Sequence, residues 1–160
     1  MTKICLDGKW SAVYHHHRDV IDNNIQYRTA KEIAAAPNKL IATVPGNFEL
    51  DLVANGILSD LYYSDNILKI QDYEDTHWWY ATTFDYEEYE NGAILRLEGV
   101  DTIADIYLNG ELVGSTDNML IAHKIDISGK LQKQNDLVIH IKPICIVTRQ
   151  NSVNAGNQAH

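Results

Sequence analysis

Residues 105–117 read DIYLNGELVGSTD. Ile106 and Leu108 alternate with Asp105 and Tyr107 ahead of Asn109-Gly110, and Leu112-Val113-Gly114 follows. Two extended runs joined by Asn-Gly predict a β-hairpin, because a type I′ turn needs φ > 0 at both central residues. Asn and Gly adopt that geometry at little steric cost. The stretch therefore reads as a two-stranded frame with no chemistry of its own.

Working outward, the same pattern of short alternating runs and turn residues recurs. Lys9-Trp10-Ser11-Ala12-Val13-Tyr14 and Leu40-Ile41-Ala42-Thr43-Val44 read as strands, the second stopped by Pro45-Gly46. HWWYATTFDY (77–86) is a long run with Trp78, Tyr80, Thr82, Phe84 and Tyr86 on one face and Trp79, Ala81 and Thr83 on the other. Gly92 to Val100, His123 to Ile127 and Asp136 to Ile141 complete the set. Helical signal is sparse. Thr29 to Ala36, an Asn47-capped turn through Ala54, and Ile67 to Tyr73 are the expected short helices. Short strands at roughly ten-residue spacing predict an all-β antiparallel sandwich with a few short helices. One domain over 1–147 is expected, followed by a polar tail over 148–160.

Composition narrows the function. Twenty-two acids against 13 bases give a net charge of −9, which argues against nucleic acid or an anionic membrane surface as partner and suits a neutral ligand such as a sugar. No run reaches the length of a membrane span, and the opening MTKICLDGKW lacks an apolar signal core, so a cytoplasmic protein is expected. Cys5 and Cys145 are expected as reduced, buried thiols, with a disulfide between them as the alternative that sequence does not decide.

Chemistry-bearing residues are then weighed one group at a time. His15-His16-His17 lies in a strand pattern whose side chains alternate, so the three do not converge on one ion and no metal or other cofactor is expected. There is no Gly-x-Ser-x-Gly elbow and no phosphate-cradling glycine loop. Glu87-Glu88-Tyr89-Glu90 and Asp72-Tyr73-Glu74-Asp75 read as solvated turns rather than the positioned carboxylate pair that glycoside hydrolysis requires. Trp78-Trp79 offers flat rings of the kind that stack on sugars, set against the plainer reading of one core ring and one ring packed under a loop.

Several stretches fall into a recognisable order: Val44-Pro45-Gly46-Asn47 with Glu49-Leu50-Asp51-Leu52, Tyr63-Ser64-Asp65-Asn66, Asp75-Thr76-His77-Trp78-Trp79-Tyr80, Leu97-Glu98-Gly99-Val100-Asp101-Thr102, and the hairpin leading into Asp117-Asn118-Met119. Together, over residues 4 to about 143, they resemble the N-terminal sugar-binding domain of glycoside hydrolase family 2, the β-mannosidase branch above all. The family's proline and aromatic after Asp-Asn-Met are missing from Leu120 to Ile125.

The resemblance implies a galactose-binding-like jelly roll, a carbohydrate ligand, and immunoglobulin-like and TIM-barrel domains elsewhere in the enzyme as intramolecular partners. The family's catalytic glutamates lie on that barrel, so no catalytic residue is expected in this chain, which reads as a fragment of a longer enzyme. Within it, Asp65 and Asn66 correspond to an arm that offers polar groups to the sugar, and Trp78 joins them as a carbohydrate-binding candidate. Asn66 has a plainer reading as a helix cap. A free-standing carbohydrate-binding module and a purely structural interaction domain are the alternatives for the whole chain.

Overall fold

The computed structural model describes residues 3–59, 64–87 and 92–148, with backbone alone at 64–67. Where β-branched and aromatic residues alternate with polar ones, the chain is extended. The strands are β1 (Gly8–His16), β2 (Leu40–Val44), β3 (Thr76–Asp85), β4 (Ile94–Glu98), β5 (Ala104–Leu108), β6 (Glu111–Thr116), β7 (Ala122–Asp126) and β8 (Gln134–Ile141). Six pair antiparallel in the order β2-β1-β3-β8-β5-β6, and β4 pairs with β7 as a smaller second sheet. Between them lie helices α1 (His17–Asn23), α2 (Ala30–Ala34) and α3 (Phe48–Ala54), and a 3-10 segment over Ser64–Tyr73. The expected all-β sandwich with few short helices is what forms. Among the described residues, no helix is long and apolar enough to cross a membrane.

The hairpin turns as its residues require. Asn109 has φ 52 and Gly110 φ 83, with Leu108 opposite Glu111. The asparagine does more than turn. Its side-chain amide donates to the Lys130 carbonyl (3.1 Å) and to Asn135 Oδ1 (3.0 Å), while its own Oδ1 accepts from the Asp136 N–H (2.9 Å). The hairpin tip is thereby tied to the start of β8. Asn135 is buried, and it also accepts from the Gln132 N–H and donates to the Gln132 carbonyl.

Alternation along β3 sorts its side chains into two cores. Trp78, Tyr80 and Phe84 face the second sheet, packing with Trp10, Leu95, Leu97, Ile106, Leu137 and Ile139. Trp79 and Ala81 face the other way with Val13, Tyr107 and Val138, where Ile33 of α2 and Val20, Ile25 and Tyr27 cover them. The large sheet is thus covered on both faces. Helix α2 is fixed by a capping box in which Thr29 and Glu32 satisfy each other's backbone N–H, and Asp136 accepts the Ala30 N–H at 3.2 Å. Two backbone N–H groups, from Arg28 first, hold the Glu32 carboxyl below its usual range.

The outer edge of β2 is closed by α3. The Asn55 side chain accepts from the Ile41 N–H (3.1 Å) and donates to the Ile41 carbonyl (2.8 Å), as a neighbouring strand would. Asp51 accepts the Thr43 N–H at 3.0 Å. Side chains here do what an additional strand would do, which removes an edge open to aggregation.

Three expectations are corrected. The strand pattern through His15-His16-His17 ends at His16, and His17 opens α1, a helix the β-like residues hid. The third expected helix starts earlier, at Ser64, and is of the tighter 3-10 kind. Both cysteines are free, but Cys5 is exposed and Cys145 half-buried, because each lies outside the two cores. The expected tail falls mostly in residues 149–160, outside the described residues, as does the turn over 88–91.

Replacing Asn109-Gly110 by Val-Val should lower stability by roughly 1–3 kcal/mol from backbone strain, and by about 1 kcal/mol more from the lost ties to β8. A urea midpoint equal to that of the unmodified chain would show that the turn does not hold the sheet.

Candidate functional site

The arm singled out by sequence is the N-terminal part of the 3-10 segment. Asp65 and Asn66 lie inside that segment, not ahead of it, so Asn66 does not occupy the cap position. Their side chains, and Tyr63, lie outside the described residues. What the structure does show is how the segment is seated.

Its seat is aromatic. Tyr73, the last residue of the segment, meets Tyr14 of β1 edge-on at 5.5 Å, and Phe48 of α3 at 6.5 Å. Tyr14 stacks on Trp78 at 4.8 Å, and Phe48 leans on the same indole at 5.3 Å. A short relay locks this arrangement. The Trp78 indole N–H donates to Thr76 Oγ1 (2.8 Å), and the Thr76 hydroxyl donates to the Tyr73 carbonyl (2.6 Å). The end of the arm is therefore bonded to the core strand β3 through one threonine.

Beside the platform, Val44-Pro45-Gly46-Asn47 turns β2 into α3. A Cβ at Gly46 would stand 2.2 Å from the Thr43 carbonyl oxygen, so only glycine fits. Asn47 caps α3 by accepting the Leu50 N–H at 3.0 Å. This turn sets Phe48 into the platform and Asp51 against β2. Burial raises the Asp51 pKa, against the lowering effect of the Thr43 N–H and of Lys9. Burial, then the Asp51 and Glu49 charges, push the Tyr80 phenol upward too. Burial likewise raises Tyr14, with Tyr73 beside it.

Trp78 itself is 4% exposed. With Tyr14 and Phe48 against it, the ring has no open face on which a sugar could stack. That corrects its expected role: it is the floor of the platform. The plainer reading of the tryptophan pair holds, since Trp79 is packed under the α1–α2 layer on the opposite face. Sequence reasoning missed the platform partners Tyr14, Phe48 and Tyr73, whose only signal was their aromatic type. The three consecutive histidines diverge to Tyr27, Asp75 and His77. Among the described residues, no group of His, Cys, Asp and Glu is placed to hold a metal ion.

A two-sheet antiparallel sandwich whose chain enters through Trp10, turns at a capped short helix and closes with the Asn-Gly hairpin defines a galactose-binding-like jelly roll. The chain belongs to the glycosyl hydrolase 2 galactose-binding domain-like family, which it matches over residues 24–160. It is 30% identical over 136 residues to Beta-mannosidase B of Aspergillus terreus, an alignment covering 84% of this chain and 16% of that protein. Against Beta-mannosidase B of Thermothelomyces thermophilus, it is 30% identical over 125 residues, covering 74% of this chain and 14% of that protein. The crystal structure of β-D-mannosidase from Dictyoglomus thermophilum superposes with a TM-score of 0.79 at 28% identity, covering 96% of this chain and 17% of that one. A Ruminococcus gnavus β-glucuronidase shares the fold, with a TM-score of 0.60 at 23% identity over 86% of this chain and 20% of its own. The chain thus spans about one sixth of these relatives, as the 16% and 17% coverages state.

Thr76→Val should cost about 1–3 kcal/mol, because the buried Trp78 N–H loses its acceptor, and it should loosen the end of the arm. Denaturant unfolding with limited proteolysis of 64–73 reads both effects. Unchanged stability together with unchanged proteolysis would remove the relay from the account.

Proposed function

We propose that this chain is the non-catalytic, carbohydrate-contacting domain of a larger β-mannosidase-type glycoside hydrolase. Its work is to present the Asp65-Asn66 arm to the sugar as one wall of a pocket completed by a TIM-barrel domain, with an immunoglobulin-like domain between them. The observation that carries this reading is the match of nearly the whole chain to 17% of a β-D-mannosidase. The chain corresponds to about one sixth of proteins named β-mannosidase.

The chemistry of the arm suits the role. An amide both donates and accepts, and a carboxylate accepts two hydroxyl hydrogen bonds from one ring. The platform of Tyr14, Tyr73, Phe48 and Trp78 supports the reading, since a binding group needs a rigid base to place it. Trp78 contributes from beneath, without touching the ligand.

The purified chain is expected to turn over neither a nitrophenyl β-mannoside nor a β-galactoside, because it presents no barrel with an acid and a nucleophile. With part of the pocket missing, its monosaccharide affinity is expected to be no better than about millimolar, of order −4 kcal/mol. A micromolar site would support a free-standing binding module instead. In the full-length enzyme, Asn66→Ala should lower kcat/KM by roughly 1–3 kcal/mol of transition-state binding with little change in Tm. A drop in stability of about 1 kcal/mol with kinetics intact would make Asn66 a structural residue.

A further inference from the structure

Three histidines from three separate elements form a continuous hydrogen-bonded chain on the outer face of the large sheet. His17 Nδ1 lies 2.9 Å from His77 Nε2, and His77 Nδ1 lies 2.9 Å from His140 Nε2. The rings stack in sequence, His17 on His77 at 5.2 Å and His77 on His140 at 5.1 Å, and His140 lies flat on Trp79 at 4.2 Å. His77 and His140 are each 8% exposed. His17 is the first residue of α1, so the chain of rings joins that helix to β3 and β8.

Counting protons shows what such a chain tolerates. Each N···N contact holds one proton, and each end nitrogen holds at most one more. Two contacts and two ends give four places, while three neutral rings already bring three protons. One added proton fits. A second would put two protons between one pair of nitrogens and break that contact. In the open chain, His77 and His140 are freed from their contacts and protonate near the ordinary histidine value of about 6.5.

Asp75 favours a charge on His77, but burial and the neighbouring positive charges outweigh it. From β1, His15 is engaged with Tyr27 at 3.0 Å, and His16 with Asp75 at 2.8 Å. Asp75 is therefore already answered by His16. From β8, Lys142 adds positive charge near His77 and His140, and is itself paired with Asp105 of β5 at 2.7 Å. From α1, Asp19 acts on His15. Burial first, then the neighbouring positive charges, hold His77 down to about 4 and His140 to about 3. The buried Trp79 indole N–H beside them has no partner, so no hydrogen bond of that group is lost when the layer lifts.

We propose that the imidazole chain His17–His77–His140 is an acid-released latch that holds α1 and the segment following it onto the large sheet. Above about pH 6.5 the buried rings of His77 and His140 are neutral and the latch is shut. Both folded-state pKa values lie below the unfolded one, so the latch's contribution is complete above 6.5 and is lost as pH falls toward 4. Opening then takes up protons that the closed chain refuses. The element released is a helix of seven residues with no buried side chain, too short to persist on its own.

Hydrogen exchange resolved by residue on this chain, from pH 6.5 to 4.5, tests the proposal. Opening constants for amides of 18–25 should rise between tenfold and a hundredfold per pH unit, one to two protons taken up per opening. Amides of β3 and β8 distal to the histidines should keep their protection. His140→Gln leaves an amide to bond His77 Nδ1 but removes one titrating ring, and should flatten the rise by about tenfold per pH unit. Opening constants for 18–25 that do not change with pH, or that rise only in step with the whole of β8, overturn the latch. So does an unaltered slope in a folded His140→Gln chain. Should that variant fail to fold, the pH profile of the unmodified chain decides alone.

Discussion

Two adjacent tryptophans on one central strand set the terms for the whole molecule. Trp78 and Trp79 point to opposite faces of β3, and both are buried, at 4% and 0% exposure. Each carries enough apolar surface to be worth a few kcal/mol when removed from water. A two-layer sandwich hides only one face of a sheet. Hiding both requires a second sheet on the Trp78 side and another cover on the Trp79 side. The strands flanking β3 obey the same split, with Ala12, Leu137 and Ile139 inward and Val13 and Val138 outward. The continuous apolar run Leu137-Val138-Ile139 in β8 and the WW pair in β3 are thus one constraint seen twice.

The outer cover is made of poor material for the task. Helices α1 and α2 have seven and five residues, lengths at which a helix is not stable by itself. Polar ties hold them instead: the Thr29–Glu32 box, the Ala30 N–H on Asp136, Tyr27 on His15, and the histidine chain. Ties of this kind depend on protonation state in a way that packed aliphatic side chains do not. The inner cover contrasts with it, since Leu95, Leu97 and Ile127 bury hydrocarbon and contain nothing that titrates. Loosening in acid is therefore expected on the outer face, whereas on the inner side burial raises the pKa of Asp51 and favours its protonated form.

How much of this was legible in the sequence follows from the range of each interaction. Asn109-Gly110, the Leu40–Val44 strand, the Asn47 cap and the start of α2 at Thr29 are decided within a few residues, and each formed where the local chemistry placed it. His17 was misread because His15 and His16 continue a strand pattern, and what ends the strand is a contact with the Asp75 carbonyl, 58 residues on. His17, His77 and His140 stand 60 and 63 residues apart, so no local window contains even two of them. Trp78 showed its aromatic type but not its burial, which depends on Tyr14 and Phe48 arriving from other elements. Asp51 carried the family likeness without revealing that, together with Asn55, it closes the edge of β2.

The fate of the carboxylates bears on the division of labour proposed for this domain. Glu32 is spent on backbone N–H groups, Asp51 on the β2 edge, Asp75 on His16, Asp105 on Lys142 and Asp136 on α2. A carboxylate bound in this way is held by the fold, and cannot also approach a glycosidic oxygen or an anomeric carbon. The polar residues that a family 2 domain offers to sugar have to come from a part whose own bonding does not consume them. The 3-10 segment is anchored at its far end by Tyr73 through Thr76 to Trp78. A rigid far end is what the proposed arm needs to place a ligand-contacting group. The aromatic platform, although it touches no sugar, is therefore the element through which the core of this domain would control binding.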